Sequence, residues 1–179
     1  MLRGTTVFLR ARHAADLPHF LTELYDDVDT HVLGSTTPWL PRSPDGDHLP
    51  FQLDSFDEGS AYFSICRLAD AKLIGIASVW GIDRHNRRGN LGLSLFPEAR
   101  GHGYGTDSVR IMVSYAFDTL GLHRLEIETL AINMSMQRVA EVNGFLVEGR
   151  RRDASWIDGH FEDDLIYSLL VTDREGSTH

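Results

Sequence analysis

The chain has 179 residues, of which 42% are hydrophobic and 24% charged, a length and balance that suit one soluble domain with a real core and no second domain. A formal net charge of −9 disfavours nucleic acid and anionic membrane as partners and favours cations, and amines are cations before they react. Cys66 is the lone cysteine, so an intrachain disulfide and a thiolate zinc cluster are both excluded and no metal site is expected.

In chain order, residues 7–10 read as a strand and residues 16–27 as helical. The first six residues lack an apolar signal core, and the longest apolar run, around 74–82, is too short to cross a bilayer; the expected location is cytoplasmic, with no membrane partner. A stretch punctuated by Pro and Gly follows over 34–59. It carries Pro38, Trp39, Pro41, Pro44, Pro50, Phe51 and Phe56, so it is not one regular helix and its aromatics need burial or a ligand. Strands are expected at 61–68 and 73–81, joined by the polar connection Ala69-Asp70-Ala71-Lys72. Cys66 falls inside the first of these and reads as a buried, inert thiol rather than a nucleophile.

The most informative segment comes next. Leu91-Gly92-Leu93-Ser94-Leu95-Phe96 reads as a strand, and residues 107–120 place Val109, Met112, Val113, Ala116, Phe117 and Leu120 at helical spacing. Between them runs Arg100-Gly101-His102-Gly103-Tyr104-Gly105-Thr106. Glycines let backbone amides approach an anion, and a helix N-terminus offers unpaired N–H groups with partial positive charge, so this turn suits a pyrophosphate. It is not the dinucleotide fingerprint G-x-G-x-x-G, nor does it end in the Gly-Lys-Ser/Thr of a nucleoside-triphosphate loop. What fits is R-x-x-G-x-G, at Arg100, Gly103 and Gly105.

The rest of the chain supplies a strand at 124–130, a helix opening at Ala131-Ile132-Asn133-Met134-Ser135 and closing at Asn143-Gly144-Phe145, and strands near 146–150 and 161–170. Asn133 is a good N-cap residue and Gly144 a good terminator. The elements add up to an α/β (α+β) fold with a mixed sheet over residues 1–179. Acidic residues gather at Asp26-Asp27-Asp29, Asp54-Asp57-Glu58 and Glu162-Asp163-Asp164, as solvated faces or as attractors of an ammonium group.

The glycine loop, followed in order by Asn133, Ser135 and Gly144-Phe145, resembles the GNAT superfamily of N-acetyltransferases. Val7-Phe8-Leu9-Arg10, Val147-Glu148-Gly149-Arg150 and the closing residues 158–163 are similar to its RimJ/RimL-type branch, which acetylates protein N-terminal amines. The resemblance implies a central, mostly antiparallel mixed sheet flanked by helices, acetyl-CoA as cosubstrate, a primary amine on a protein N-terminus or small molecule as acceptor, and a possible homodimer. It also implies that two central strands splay. Backbone N–H groups of Leu93 and Leu95 would then meet the pantetheine and thioester carbonyl. Arg100, Gly101, Gly103, Tyr104, Gly105 and Thr106 would hold the pyrophosphate, and Asn133 the pantetheine arm. The aromatic stretch 34–59 and Trp156 are possible walls of an amine pocket, or simply cover for the sheet and a hairpin tip.

The acid and base depart from that pattern. A tyrosine four residues before the Gly-Phe pair is common in the superfamily, and this chain has Ala140 there; where a glutamate often opens the fourth strand it has Asn90. Ser135 is the substitute acid or a local helix-start hydrogen bonder. Glu126 and Glu128, on one strand face with Arg124, are the candidate bases or an exposed ion-paired stripe. Missing both usual groups, the chain also admits a non-catalytic acyl-CoA binding or sensing module.

Overall fold

The computed structural model describes residues 1–35, 37–43, 46, 49–52 and 57–175; Pro44, Asp54 and Phe56, noted above, lie outside them. Eight strands form one sheet in the order β1-β2-β3-β4-β5-β6-β8-β7. They are β1 (Leu2–Arg3), β2 (Val7–Ala11), β3 (Ala61–Arg67), β4 (Leu73–Asp83), β5 (Arg88–Leu95), β6 (Arg124–Leu130), β7 (Leu146–Ile157) and β8 (His160–Leu170). Every neighbouring pair is antiparallel except β5 and β6, which matches the expected mixed, mostly antiparallel sheet. That parallel pair needs a crossover, and the helical segment α3 (Tyr104–Ser114, continued by a wider π-type turn over Tyr115–Thr119) supplies it.

Alternation along the strands divides the molecule into two layers of packing. Val7, Leu9, Ile65, Ala77, Val79, Leu91, Leu125, Ile127 and Tyr167 are buried against Val109 and Met112 of α3, Ala116 of the turn that continues it and Ala140 of α4 (Met134–Val142). On the opposite face a smaller cluster joins Ile76 and Phe96 to Phe20 and Leu24. Those two side chains come from α1 (Leu17–Phe20) and the π-turn Leu21–Tyr25 that continues it. Cys66 is buried, as expected, and its thiol is pushed up by burial.

Two elements outrun their expected bounds. Helical structure does not stop at Asp27: Asp27 takes an extended conformation, accepts the Thr30 N–H, and starts α2 (Val28–Gly34). The sequence hid this because Val28, Thr30 and Val32 are β-branched and poor helix formers. Likewise β7 does not end at Arg150 but runs to Ile157, so Trp156 is a strand residue paired with Phe161, not part of the connection. Its last strand-to-strand turn is Asp158-Gly159, both left-handed at φ 47 and 87, the Asp-Gly hairpin geometry that the dipeptide favours.

Two buried carboxylates fasten the N-terminal strands. Asp16 accepts from Nη1 and Nη2 of Arg10 at 2.7 Å each, from the Ser64 hydroxyl at 2.6 Å and from the His13 amide at 2.9 Å. Asp107, in the first turn of α3, uses one oxygen to accept the amides of Thr5, Thr6 and Val7 at 2.9, 2.7 and 3.1 Å, and the Thr6 hydroxyl at 3.0 Å. Burial alone would raise both carboxyls, but these hydrogen bonds outweigh it and hold both below the usual range.

Candidate active site

The parallel pairing of β5 with β6 covers only Arg88↔Arg124, Gly89↔Leu125 and Asn90↔Glu126. β5 then continues to Leu95 along β4, and β6 to Leu130 along β8, so the sheet splits between residues 91–95 and 127–130. The Phe96 amide donates to the Ile74 carbonyl on β4. Counting back by twos, the amides of Ser94 and Gly92 also face β4, and those of Leu93 and Leu95 face the split. These are the two amides singled out in the sequence.

At the far end of β5 the glycine turn meets α3. Gly103 is the N-cap at φ 80 and ψ −3, no side chain caps the helix, and Gly101 has φ 76. A Cβ built at either glycine would find no atom within 4 Å, so glycine is there for its left-handed backbone and for the open space before the helix N-terminus. Gly105 differs: it is buried, and a Cβ there would lie 3.5 Å from Val139 and 3.7 Å from Leu95, which seats α3 on β5 and α4. Tyr104 stacks on His102, with ring centres 5.6 Å apart. Thr106 is half-buried, its carbonyl accepting the Asn143 side chain at 3.3 Å. Uncapped amides, an axial partial positive charge and no obstructing side chain fit a pyrophosphate.

Arg100 lies elsewhere than over this turn. Its Nε donates to the Leu95 carbonyl at 3.2 Å and its Nη2 to the Thr30 hydroxyl at 2.6 Å, so its guanidinium ties the loop to α2. Asn133 caps α4 through the Met136 amide and sends its side-chain nitrogen 3.5 Å to the Leu33 carbonyl. Both residues thus join the donor side of the split to α2.

On the face with α1 and α2 the split opens into a cleft of about 960 Å³. α2 lines it with Thr30, His31, Leu33 and Gly34; β4 with Ile76, Ser78 and Trp80; β5 with Asn90 to Ser94; and β6 with Ile127 to Leu130. From the stretch 34–59, Pro38, Leu40, Arg42, Pro50 and Phe51 contribute to the lining. Trp39 lies behind it, 6.3 Å from the Tyr25 ring. Trp156 is exposed, its ring edge-on to Phe161 at 4.8 Å, and β7 lines the cleft with Ser155 instead.

The candidate acid and bases do not converge. Glu128 lines the cleft and pairs with Arg151. Glu126 lies outside the lining, its carboxylate held at 2.6 Å by Arg124. Arg124 also pairs with Glu148, whose carboxyl is pulled down to about 2 by Arg124 and the Ser168 hydroxyl. Ser135 is exposed in the first turn of α4 and is not part of the lining. Asp164, singled out in the sequence only as one of the acidic cluster 162–164, is a buried carboxylate on the cleft wall rather than a solvated one; it accepts the Ser155 hydroxyl at 2.9 Å and lies 3.4 Å from Arg151. Alternation in β8 places it across from Leu130. Sequence reading missed His31, buried on α2 with Nε2 3.0 Å from the Thr37 carbonyl.

Known proteins share this architecture. The chain is 36% identical over 109 residues to YdaF of Bacillus subtilis (strain 168), named as a ribosomal N-acetyltransferase, a match that spans 61% of this chain and 60% of that protein. It is 36% identical over 180 residues to YjcK of the same organism, named as an N-acetyltransferase, covering 98% of this chain and 99% of that one. In fold it is similar to spermidine N-acetyltransferase from Vibrio cholerae in complex with CoA and spermine, with a TM-score of 0.75 at 19% identity over 93% of this chain and 96% of that one. The acetyltransferase (GNAT) domain matches residues 6–146, and the chain belongs to that family.

Proposed function

We propose that the protein transfers the acetyl group of acetyl-CoA directly to a primary amine, and that the acceptor is a protein N-terminal amine of the RimJ/RimL type, with small-molecule amines as the competing class. The observation that carries this reading is the split between β5 and β6 running into the uncapped, glycine-led N-terminus of α3. Acetyl-CoA supplies an activated thioester when bound. Amides of Gly101 to Thr106 grip its pyrophosphate, with the Thr106 hydroxyl adding a donor. Asn133 would hold the pantetheine arm. The Leu93 and Leu95 amides face the split, where they would meet the pantetheine and the thioester carbonyl, and the one at the carbonyl would stabilise its developing negative charge.

The acceptor enters from the cleft between α2 and β4. Glu128 takes the ammonium proton, directly or through a water, so that the nitrogen lone pair forms the C–N bond as the C–S bond breaks. Ser135 is the hydroxyl assigned to return a proton to the leaving thiolate, the place of the absent tyrosine being filled by the buried Ala140. No residue of the chain becomes acylated. Support for the N-terminal acceptor comes from the YdaF name and from the closing-region motif.

The test is thiol release from acetyl-CoA with a panel of N-terminal peptides, polyamines and aminoglycosides. Turnover with peptides above the other amines supports the reading. Tight coenzyme binding with no turnover on any amine overturns the enzyme and leaves a sensing module. Turnover on polyamines alone moves the acceptor to the small-molecule class.

A further inference from the structure

Trp80 stands out on the cleft wall. It lies on β4, lines the cleft, and leaves 40% of its surface exposed, a large apolar area for a protein to leave in a concave site. Its position is built rather than incidental. A Cβ added at Gly92 would come within 3.0 Å of both Cζ3 and Cη2 of the indole, so the ring lies across the bare backbone of β5 at the one residue where glycine leaves room for it.

What the ring faces follows from the register. Asn90 pairs with Trp80 on one side and Glu126 on the other, and is the last β5 residue to touch β6. Two residues further on, Gly92 and Glu128 stand level with each other across the mouth of the split, their side-chain positions on the same face. The indole on Gly92 and the Glu128 carboxylate therefore flank the opening toward which the Leu93 amide points. Glu128 and Asp164 share the guanidinium of Arg151; Tyr25, His31 and Arg42, from the loop after α2, are the other titratable lining groups among the described residues.

We propose that Trp80 is a specificity-determining residue that receives the acceptor's ammonium group: the indole face and Glu128 form the two sides of a cation site, selecting a positively charged amine over a neutral molecule of the same shape before proton removal. The inference rests on the acceptor cleft assigned above. Cation–π attraction to an indole is stronger than to a phenyl ring and absent for an aliphatic side chain. Gly92 acts with it by keeping the ring in place.

The test uses binding, which does not depend on turnover. With CoA present, choline and its neutral isostere 3,3-dimethylbutan-1-ol are titrated by calorimetry against the wild type, Trp80→Phe, Trp80→Leu and Gly92→Ala. Choline is expected to bind about tenfold more tightly than the alcohol in the wild type. Trp80→Phe should keep a reduced preference, Trp80→Leu should cut it to the part that Glu128 supplies, and Gly92→Ala should weaken it by lifting the ring, all with CoA affinity unchanged. Equal binding of the two ligands to the wild type overturns the proposal, as does a preference undiminished in Trp80→Leu. Should Trp80→Leu fail to fold, Gly92→Ala carries the same decision. Absence of turnover on every amine together with an intact choline preference overturns the acetyltransfer reading and leaves this site standing; turnover without the preference does the reverse.

Discussion

Gly103 separates two demands that one residue meets. Its left-handed φ of 80 disfavours any L side chain by about 1–2 kcal/mol, yet the space a Cβ would enter is free of protein atoms within 4 Å. Gly103→Ala is therefore expected to cost about 1 kcal/mol of stability and little else in the apo protein, read as a small fall in denaturant midpoint. Gly103→Glu adds a carboxylate where the pyrophosphate charge belongs, and CoA affinity should fall by about a hundredfold or more in calorimetry, beyond the Ala variant. An unchanged affinity would remove the loop from the donor site. Glu128 and Glu126 offer a matched pair at the same scale. Loss of a general base typically costs about 10²–10⁴ in rate, so Glu128→Gln should cut turnover by about a hundredfold with CoA affinity intact, whereas Glu126→Gln should leave turnover within a few-fold. The strand period alone put both glutamates on one face; only the end of the β5–β6 pairing at Asn90↔Glu126 tells which of them reaches the cleft. That divergence is tertiary, which is why the sequence left the choice open.

Elements were legible where periodicity and local chemistry agreed. The strand, glycine turn and helix of 91–120 announced themselves because apolar period 2 gives way to period 3.6 across three glycines. α2 stayed hidden because its stability is not intrinsic: Asp27 caps it, and Arg100 and Asn133 hold it from other elements. β7 was lost past Arg150 because Arg150-Arg151-Arg152-Asp153 is polar throughout and two register shifts interrupt the ladder, although Asp158-Gly159 was a readable hairpin signal. Asp107 shows a further kind of hidden instruction, an acidic residue in a helix that serves a turn a hundred residues earlier. Truncating it strands three backbone amides of Thr5, Thr6 and Val7, each of which costs about 1–3 kcal/mol if left without a partner and less where water reaches it. Asp107→Ala should therefore lower stability by about 3 kcal/mol and speed amide exchange in β1 and β2 ahead of the rest of the sheet. Exchange rates that rise uniformly would mean the carboxylate does not hold that edge.

At the scale of the molecule, the donor site arises from topology as much as from motif. A sheet of antiparallel neighbours has one parallel junction, β5 with β6, and the crossover it requires places a helix N-terminus at the carboxyl end of β5, where open sheets bind ligands. The same architecture has an acid limit. Asp16 joins β2, β3 and the start of α1 through Arg10, Ser64 and His13, and Asp107 joins the β1–β2 turn to α3. Although burial alone would push both up, their hydrogen bonds hold them below the ordinary 3.8. Carboxyls that ionise more readily in the folded chain than in the unfolded one contribute stability that is complete above their unfolded values and is lost as pH falls toward the folded ones, at about 1.4 kcal/mol per unit of depression. The denaturant midpoint from these two groups should thus stay level between about pH 7 and 5 and drop between about 4 and 2. Asp16→Asn should begin lower at neutral pH, by about 3 kcal/mol for a buried pair broken on one side, and then fall less steeply through the acid range. A variant as steep as the wild type would assign the acid limit to Asp107 or to other carboxylates, because a group that no longer titrates cannot contribute slope.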